Sequence, residues 1–128
     1  MRILIVDDSA FMRTILKNLI GQSKWSGAQI DEAGSGEEAV AAYHANKPDL
    51  TLLDIVMPGK NGLEVLKEIG ASAPSVVIVS SMGQGSMIEE AKSLGAKDYI
   101  VKPFDAKLVI ESLNRLFPDT SMTPPSQG

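Results

Sequence analysis

The sequence predicts an α/β domain in which five helices flank a five-stranded parallel sheet with the strand order 2-1-3-4-5. Short, unbroken apolar runs alternate five times with amphipathic segments, which is typical of an open, doubly wound sheet. Residues with the character of helix caps separate these segments. The chain has 128 residues, of which 44% are hydrophobic, so we expect one domain with a buried core over residues 1–118.

The strands are predicted from continuous runs of aliphatic residues, because a strand covered on both faces needs no polar alternation. Three clear runs occupy residues 3–6, 49–53 and 76–79. Two weaker runs occupy residues 28–32 and 98–101. An amphipathic segment follows each run, so the predicted order is strand then helix throughout.

The starts of the first four helices are predicted from apolar spacing and capping residues. Apolar residues recur at helical spacing between positions 11 and 20, and Gly21 can end this first helix. The next three helices are predicted to begin where a capping residue precedes a Glu by three positions. These patterns are Ser35–Glu38, Asn61–Glu64 and Ser86–Glu89.

The ends of the later helices are also marked in the sequence. Gly70 and Gly95 lie where the third and fourth helices should end. The fifth helix is predicted to begin at Asp105 and to stop before Pro118. The residues that it is expected to turn towards the core are Val109, Leu113, Leu116 and Phe117.

Composition excludes several kinds of function. Lys and Arg number 12 and Asp and Glu number 16, so the net charge is −4 at pH 7, which argues against nucleic-acid binding. The lack of cysteine excludes disulfides, thiolate zinc sites and thiol catalysis, and the single histidine, His44, excludes a His-rich metal site. The first apolar run is too short for a signal peptide or a membrane span, so we expect a cytoplasmic protein without membrane association. Residues 119–128 contain two prolines and no periodicity, which predicts a disordered tail.

Polar residues that complement one another follow four of the five predicted strands. Because the carboxyl ends of parallel strands meet at one edge of a sheet, we expect these side chains to lie close together. The second strand ends at Glu32 and is expected to contribute less. The residues after the first, third, fourth and fifth strands are, in turn, Asp7 and Asp8, Asp54, Ser80 and Ser81, and Lys102 and Pro103.

Three aspartates at one edge indicate a divalent cation, because carboxylates at close range repel each other unless a cation neutralises them. Oxygen ligands suit Mg²⁺, which commonly takes one or two carboxylates and a phosphate oxygen. One aspartate could then attack phosphorus, while the Lys102 ammonium and the Ser80 hydroxyl stabilise the new phosphoryl oxygens. Each position alone has an ordinary explanation, since Asp8 could cap the first helix and Lys102-Pro103 could be a turn. The joint pattern is far more specific.

Short motifs around these residues occur in a fixed order along the chain. They are Val6-Asp7-Asp8, Asp54 with Met57-Pro58-Gly59 and Asn61-Gly62, Ser80, Gly95-Ala96-Lys97-Asp98-Tyr99, and Val101-Lys102-Pro103-Phe104. With them the chain resembles the receiver domain of two-component response regulators, from residue 2 to about residue 117. Phe11-Met12-Arg13 and residues 81–85 are similar to the stand-alone CheY-like chemotaxis regulators. The resemblance implies a flavodoxin-like, three-layer sandwich.

The resemblance also implies a role for each matching residue. Asp54 would be the phosphoacceptor, and Mg²⁺ would be held by Asp7, Asp8, Asp54 and the backbone carbonyl of Val56. Lys102 would contact the phosphoryl group, and its bond to the following proline would be a cis peptide.

Two further residues would transmit the signal. Ser80 would be the switch hydroxyl that moves towards the phosphoryl group, and Tyr99 would change rotamer with it. The output face would then be the surface of the fourth helix, fifth strand and fifth helix, with Met87, Ile88, Lys92 and Tyr99 as candidate contacts. Simple core packing is the alternative role for Met87 and Ile88.

The resemblance implies partners rather than a substrate. A histidine kinase would donate the phosphoryl group, a downstream protein such as a flagellar motor switch component would receive the signal, and a phosphatase could end it. The chain would act as a monomer, with neither nucleic acid nor membrane, and would catalyse only its own phosphorylation and dephosphorylation. A phosphorelay outside chemotaxis is the alternative pathway.

Some residues depart from the family pattern, and other interpretations of the site exist. Ser81 stands where Ala or another small residue is usual, and because Ser is also small, access to the site should be kept. Apolar Val56 and Met82 flank the phosphorylation site where polar residues often position water, which predicts slow self-dephosphorylation. A haloacid-dehalogenase-like phosphatase would need Asp-x-Asp after the first strand, whereas Asp7 and Asp8 are adjacent. An FMN-binding module would need a Ser/Thr/Gly-rich phosphate loop there. The intact Asp54 and Lys102 argue against an interaction module with an inactive site.

Overall fold

A parallel sheet of five strands forms the middle layer of the domain, in the order β2-β1-β3-β4-β5. The computed structural model describes residues 1–70 and 73–118. The strands are β1 (Arg2–Val6), β2 (Gln29–Ala33), β3 (Leu50–Leu53), β4 (Val76–Ser80) and β5 (Asp98–Val101). The predicted fold class, strand order and strand positions are confirmed, while the predicted tail lies outside the described residues.

Five helices cover the sheet on both faces. They are α1 (Ala10–Gly21), α2 (Gly36–Asn46), α3 (Gly62–Ile69), α4 (Gly85–Ser93) and α5 (Ala106–Leu116). Alternate residues of β1 divide the core: Leu4 and Val6 pack with α2, α3 and α4, whereas Ile3 and Ile5 pack with α1 and α5. Within the described residues, no helix is both long and apolar enough to cross a membrane.

The apolar faces of the outer helices follow the sequence with one exception. In α5, Val109 and Leu113 are buried, and Leu116 and Phe117 pack against the same core at partial exposure. In α1, however, Phe11 is 74% exposed although it shares the helical spacing. It lies in the first turn of α1, at the end of the helix that leaves the polar edge of the sheet.

The predicted N-cap residue is confirmed at two of three helices, and the full capping box at one of them, α3. Asn61 and Glu64 form a reciprocal capping box at α3, with both hydrogen bonds at 3.0 Å. The Ser35 side chain accepts the Glu38 N–H at α2, but the Glu38 carboxylate accepts the N–H of Gly34 instead of that of Ser35. The second hydrogen bond of the α2 cap therefore goes to Gly34, the residue before the N-cap Ser35.

The prediction that Ser86 begins the fourth helix is wrong. Gln84 is the N-cap of α4, and its carbonyl accepts the Ile88 N–H at 3.1 Å. Ser86 therefore already lies in the first helical turn, where its spacing to Glu89 no longer forms a cap. The ends are confirmed, since α3 is capped at Gly70 and Gly95 follows α4 with a positive φ of 115°.

Candidate functional site

Three carboxylates meet at the carboxyl edge of the sheet. Oxygens of Asp7, Asp8 and Asp54 all lie within 4.8 Å of one another. The pairing of β1 with β3 brings them together, because the Asp54 N–H donates to the Val6 carbonyl at 3.0 Å. Asp7 and Asp54 are 2% and 4% exposed, whereas Asp8 is open to solvent. The aspartates of the first and third strand ends are therefore brought together as predicted.

Lys102 supplies the opposing charge. Its Nζ lies 2.7 Å from Asp7 Oδ2 and 3.4 Å from Asp54 Oδ2. The Lys102 N–H donates to the Ser80 carbonyl at 2.8 Å, and its bond to Pro103 is cis, as predicted. Three carboxylates and one ammonium leave a formal charge of −2 in this cluster.

Burial and charge shift the pKa values in this cluster. Burial raises the pKa of Asp54 and the nearby Asp7 charge adds to that shift, while the Lys102 charge opposes it. Burial alone would lower the pKa of Lys102, but its bond to Asp7 and the charge of Asp54 outweigh burial and raise it. Burial and the Asp7 charge therefore disfavour the ionised form of Asp54 in the folded chain, and the Lys102 charge compensates for them only in part.

Backbone N–H groups fix the remaining carboxylate oxygens. Asp7 Oδ1 accepts the Ser9 N–H at 2.9 Å, and Asp54 Oδ1 accepts the Val56 N–H at 3.3 Å. Ser9, rather than Asp8, caps α1, because its hydroxyl accepts the Met12 N–H. The alternative role of Asp8 as a helix cap is therefore wrong, which leaves its carboxylate available to the cluster.

The donor set fits Mg²⁺. All three side chains offer oxygen, the net charge is negative, and the exposed Asp8 leaves one side open for water and a phosphoryl oxygen. Mg²⁺ typically combines one or two carboxylates with several waters, so three aspartates at this spacing offer enough oxygen ligands.

Ser80 and Tyr99 both contact the peptide groups of Met82. Ser80 is fully buried at the end of β4, and its Oγ accepts the Met82 N–H at 3.2 Å. The Tyr99 hydroxyl donates to the Met82 carbonyl, and its ring packs at partial exposure against the core. Ser80 and Tyr99, the two residues predicted to act as a switch, are thus linked by hydrogen bonds to Met82, in the loop between β4 and α4.

The surface formed by α4, β5 and α5 holds the other predicted contacts. Met87 is half-buried and packs against the core, which is consistent with the core-packing alternative for this residue. Ile88 is half-buried and Lys92 is exposed, so both reach the surface. His44 lies on α2 and is also exposed.

Asp98 ties this surface together. Its carboxylate accepts the Ser112 hydroxyl at 2.6 Å, the Tyr99 N–H at 2.8 Å and the Arg115 guanidinium. Burial alone would raise the pKa of Asp98, but the hydrogen bonds from Ser112 and Tyr99 and the charge of Arg115 outweigh it and lower the pKa. Strand β5 and helix α5 are therefore held together by an ionised carboxylate.

Sequence reasoning missed a link between the site and the end of β2. The Arg13 guanidinium donates to the Asp7 carbonyl at 2.6 Å and to Glu32 at 3.0 Å. The second strand, expected to contribute less, is linked to the site indirectly, through Glu32 and Arg13. The available signal was the arginine one and a half turns after Asp8, on a helix that leaves the polar edge.

Comparison with known proteins decides the family. The model of the response regulator receiver domain matches residues 3–114. The chain belongs to the response regulator receiver domain family. This receiver is 46% identical over 117 residues to the chemotaxis protein CheY of Thermotoga maritima, covering 90% of the chain and 96% of the relative. It is 47% identical to CheY of Listeria monocytogenes, covering 90% and 97%.

A solved structure supports the same conclusion. The receiver aligns with a chain of the CheX–CheY–BeF3–Mg²⁺ complex from Borrelia burgdorferi with a TM-score of 0.81 and 34% identity, covering 91% and 88% of the two chains. The receiver is therefore CheY-like, and receiver domains are signalling domains rather than enzymes of the usual kind. The phosphatase and FMN-binding alternatives do not fit this family.

Proposed function

We propose that this receiver accepts a phosphoryl group on Asp54 and signals through the surface of α4, β5 and α5. The observation that carries the proposal is the buried Asp54 carboxylate placed beside two further aspartates and within 3.4 Å of the Lys102 ammonium. A largely buried cluster with a net charge of −2 costs the folded state stability. A site that binds a cation and a phosphoryl group accounts for this cost.

The transfer has a simple balance. A carboxylate oxygen of Asp54 attacks the phosphorus of a phosphohistidine on the kinase, so a P–O bond forms as the P–N bond breaks, and the histidine nitrogen keeps the electron pair and takes up a proton. Asp7, Asp8, Asp54 and the Val56 carbonyl would hold Mg²⁺, which neutralises charge on the transferring group. Catalysis is limited to the chain's own phosphorylation and dephosphorylation.

Lys102 and Ser80 act on the product. The Lys102 ammonium leaves Asp7 to bind a phosphoryl oxygen, and the Ser80 hydroxyl donates to another. Phosphorylation adds about 1.5 to 2 negative charges at neutral pH, which both groups stabilise. Movement of Ser80 pulls on the Met82 N–H that it accepts, and the Tyr99 hydroxyl is bonded to the same residue's carbonyl.

The output is therefore a population shift of the loop and the Tyr99 side chain. Met82 belongs to the connection that leads into α4, and Tyr99 belongs to β5. Ile88 and Lys92 are the surface contacts that this shift would present to a target. We propose that Met87, which is half-buried and packs against the core, transmits the shift to these surface contacts.

The relatives favour chemotaxis as the pathway. Relatives named CheY match nearly the whole of their own length, and one similar solved chain is held in a complex with CheX. We propose a histidine kinase as donor, a flagellar motor switch component as target, a phosphatase that ends the signal, and action as a monomer in the cytoplasm. A phosphorelay outside chemotaxis is the alternative.

The chemistry is tested by intact mass after incubation with a small acyl phosphate and Mg²⁺. The wild-type chain should gain the mass of one phosphoryl group, and Asp54→Asn should gain none. Asp105→Asn is the matched control, because Asp105 is an exposed aspartate whose side chain makes no cap hydrogen bond. Equal labelling of Asp54→Asn and the control would refute the role of Asp54.

The pathway is tested separately in soft agar. A chemotactic strain that lacks its own CheY-like regulator should regain spreading with the wild-type chain and not with Asp54→Asn. A phosphorylated chain that fails to restore spreading would favour the alternative relay.

A further inference from the structure

The Arg13 side chain connects α1 to the ends of two strands. Its Nη1 donates to the Asp7 carbonyl oxygen at 2.6 Å, and its Nε donates to Glu32 Oε1 at 3.0 Å. The carbonyl of Asp7 belongs to the peptide group that joins Asp7 to Asp8. Arg13 therefore contacts the backbone unit between two aspartates of the cluster.

The structure around Arg13 holds it in this position. Glu32 is paired with a second cation, because Lys17 Nζ lies 2.8 Å from its other oxygen. Hydrogen bonds from Lys17 and Arg13 lower the pKa of Glu32, so it is an ionised anchor. A Cβ at Gly34 would lie 3.3 Å from Arg13 Nη1, so glycine leaves space for the guanidinium.

We propose that Arg13 is a positioning residue for the cation site. This proposal rests on the function proposed above. Its bond to the Asp7 carbonyl fixes the plane of the Asp7–Asp8 peptide. The Asp7 N–H donates to the Ala33 carbonyl at 3.1 Å, and Asp7 Oδ1 accepts the Ser9 N–H. With the bond from Arg13, the N–H, the carboxylate and the carbonyl of Asp7 all have hydrogen-bond partners. The backbone at Asp8 is thereby held, and so is the direction from which the exposed Asp8 carboxylate approaches a cation.

The competing role for Arg13 is a simple tie between α1 and β2 through Glu32. Lys17 provides a matched comparison, because it pairs with the same Glu32 from the next turn of the same helix and has no contact with Asp7 in the described residues. Removing either cation takes away one positive charge near the site. Electrostatics alone would then strengthen Mg²⁺ binding in both variants.

A positioning role predicts weaker Mg²⁺ binding, the opposite of the electrostatic effect, and predicts it for Arg13→Ala only. Loss of groups that orient metal ligands typically weakens metal affinity by 10- to 100-fold. Because Arg13 acts on the backbone of the ligands, we expect the Mg²⁺ dissociation constant of unphosphorylated Arg13→Ala to rise by about tenfold. Lys17→Ala should bind Mg²⁺ as tightly as the wild-type chain or slightly more tightly.

The measurement is calorimetric titration of the full chain with Mg²⁺ alone, with thermal unfolding in chelator to verify that each variant is folded. Glu32→Gln is the second variant, and it should weaken Mg²⁺ binding less than Arg13→Ala because the bond to Asp7 survives. Equal affinities of Arg13→Ala and Lys17→Ala would overturn the positioning role. A wild-type chain that binds no Mg²⁺ would instead overturn the proposed function.

Discussion

Replacing Asp54 by Asn is expected to stabilise the chain in the absence of Mg²⁺, although it removes the reactive residue. The aspartate oxygens lie within 4.8 Å of one another, and two like charges at that outer separation repel by about 3.5 kcal/mol at an effective dielectric of 20. Asp54 has two such neighbours, Asp7 and Asp8. Its attraction to Lys102 at 3.4 Å contributes about 5 kcal/mol on the same scale. The repulsion exceeds the attraction, so Asp54→Asn should raise the free energy of unfolding. Solvent around the exposed Asp8 weakens the repulsion, and we expect a net gain of about 1 to 2 kcal/mol.

The pH dependence follows from the direction of the pKa shift. Burial raises the pKa of Asp54 in the folded chain, so ionisation of this group costs stability as the pH rises through the folded value. Below the ordinary pKa of an aspartate, about 3.9, Asp54 is protonated in both states and this cost is absent. The advantage of Asp54→Asn should therefore be present at pH 7.5 and vanish in acid.

Mg²⁺ should remove the advantage. At a Mg²⁺ concentration ten times the dissociation constant, the wild-type chain gains about 1.4 kcal/mol, because only the folded state binds the cation. Asp54→Asn has lost a ligand and should gain much less. Urea unfolding in chelator and in Mg²⁺ measures both effects, with Asp105→Asn as control. A variant that is less stable than the wild-type chain in chelator, or that gains equally from Mg²⁺, would refute this reasoning.

Three other features of the structure lead to predictions of their own. Tyr99→Phe removes the hydroxyl bonded to the Met82 carbonyl and should lower the free energy of unfolding by about 1 kcal/mol in urea titrations, while a variant as stable as the wild-type chain would contradict this bond. The lowered pKa of Asp98 gives stability that is present above the unfolded pKa and lost as the pH falls through the folded value. Asp98→Asn should therefore reduce the loss of stability in acid, measured by urea unfolding against pH. An unchanged acid dependence would mean that another group is responsible for it. Apolar Val56 and Met82 beside the site predict slow self-dephosphorylation. The aspartyl phosphate should therefore decay over minutes in Mg²⁺, and it should decay faster in Val56→Asn. A lifetime of seconds in the wild-type chain would contradict this prediction.

The aspartate cluster could be predicted because a parallel sheet brings its strand ends to one edge. Asp7, Asp54 and Lys102 each follow an apolar run, and the order of the runs determines which ends are neighbours. Once the fold class is known, the burial of Asp54 and its approach to Lys102 require no long-range information beyond strand order. The sequence therefore contains the central part of the site.

Other contacts depend on packing that no local pattern encodes. Ser86 and Glu89 have the spacing of a helix cap, but α4 begins earlier: Gln84 is its N-cap, and the Gln84 carbonyl accepts the Ile88 N–H. Arg13 reaches Glu32 across nineteen positions and Tyr99 reaches Met82 across seventeen. These contacts are determined by how α1 lies against β2 and how β5 lies beside β4.

The most direct test of the central claim is to locate the phosphoryl group. The full chain is incubated with a small acyl phosphate, in Mg²⁺ and in chelator, and peptides are mapped by mass spectrometry. We expect one phosphoryl group, on Asp54, that forms in Mg²⁺ and is largely lost in chelator, because the uncompensated charge of the cluster then repels the donor. Phosphoryl incorporation at another residue, or incorporation at Asp54 that chelation leaves unchanged, would contradict it.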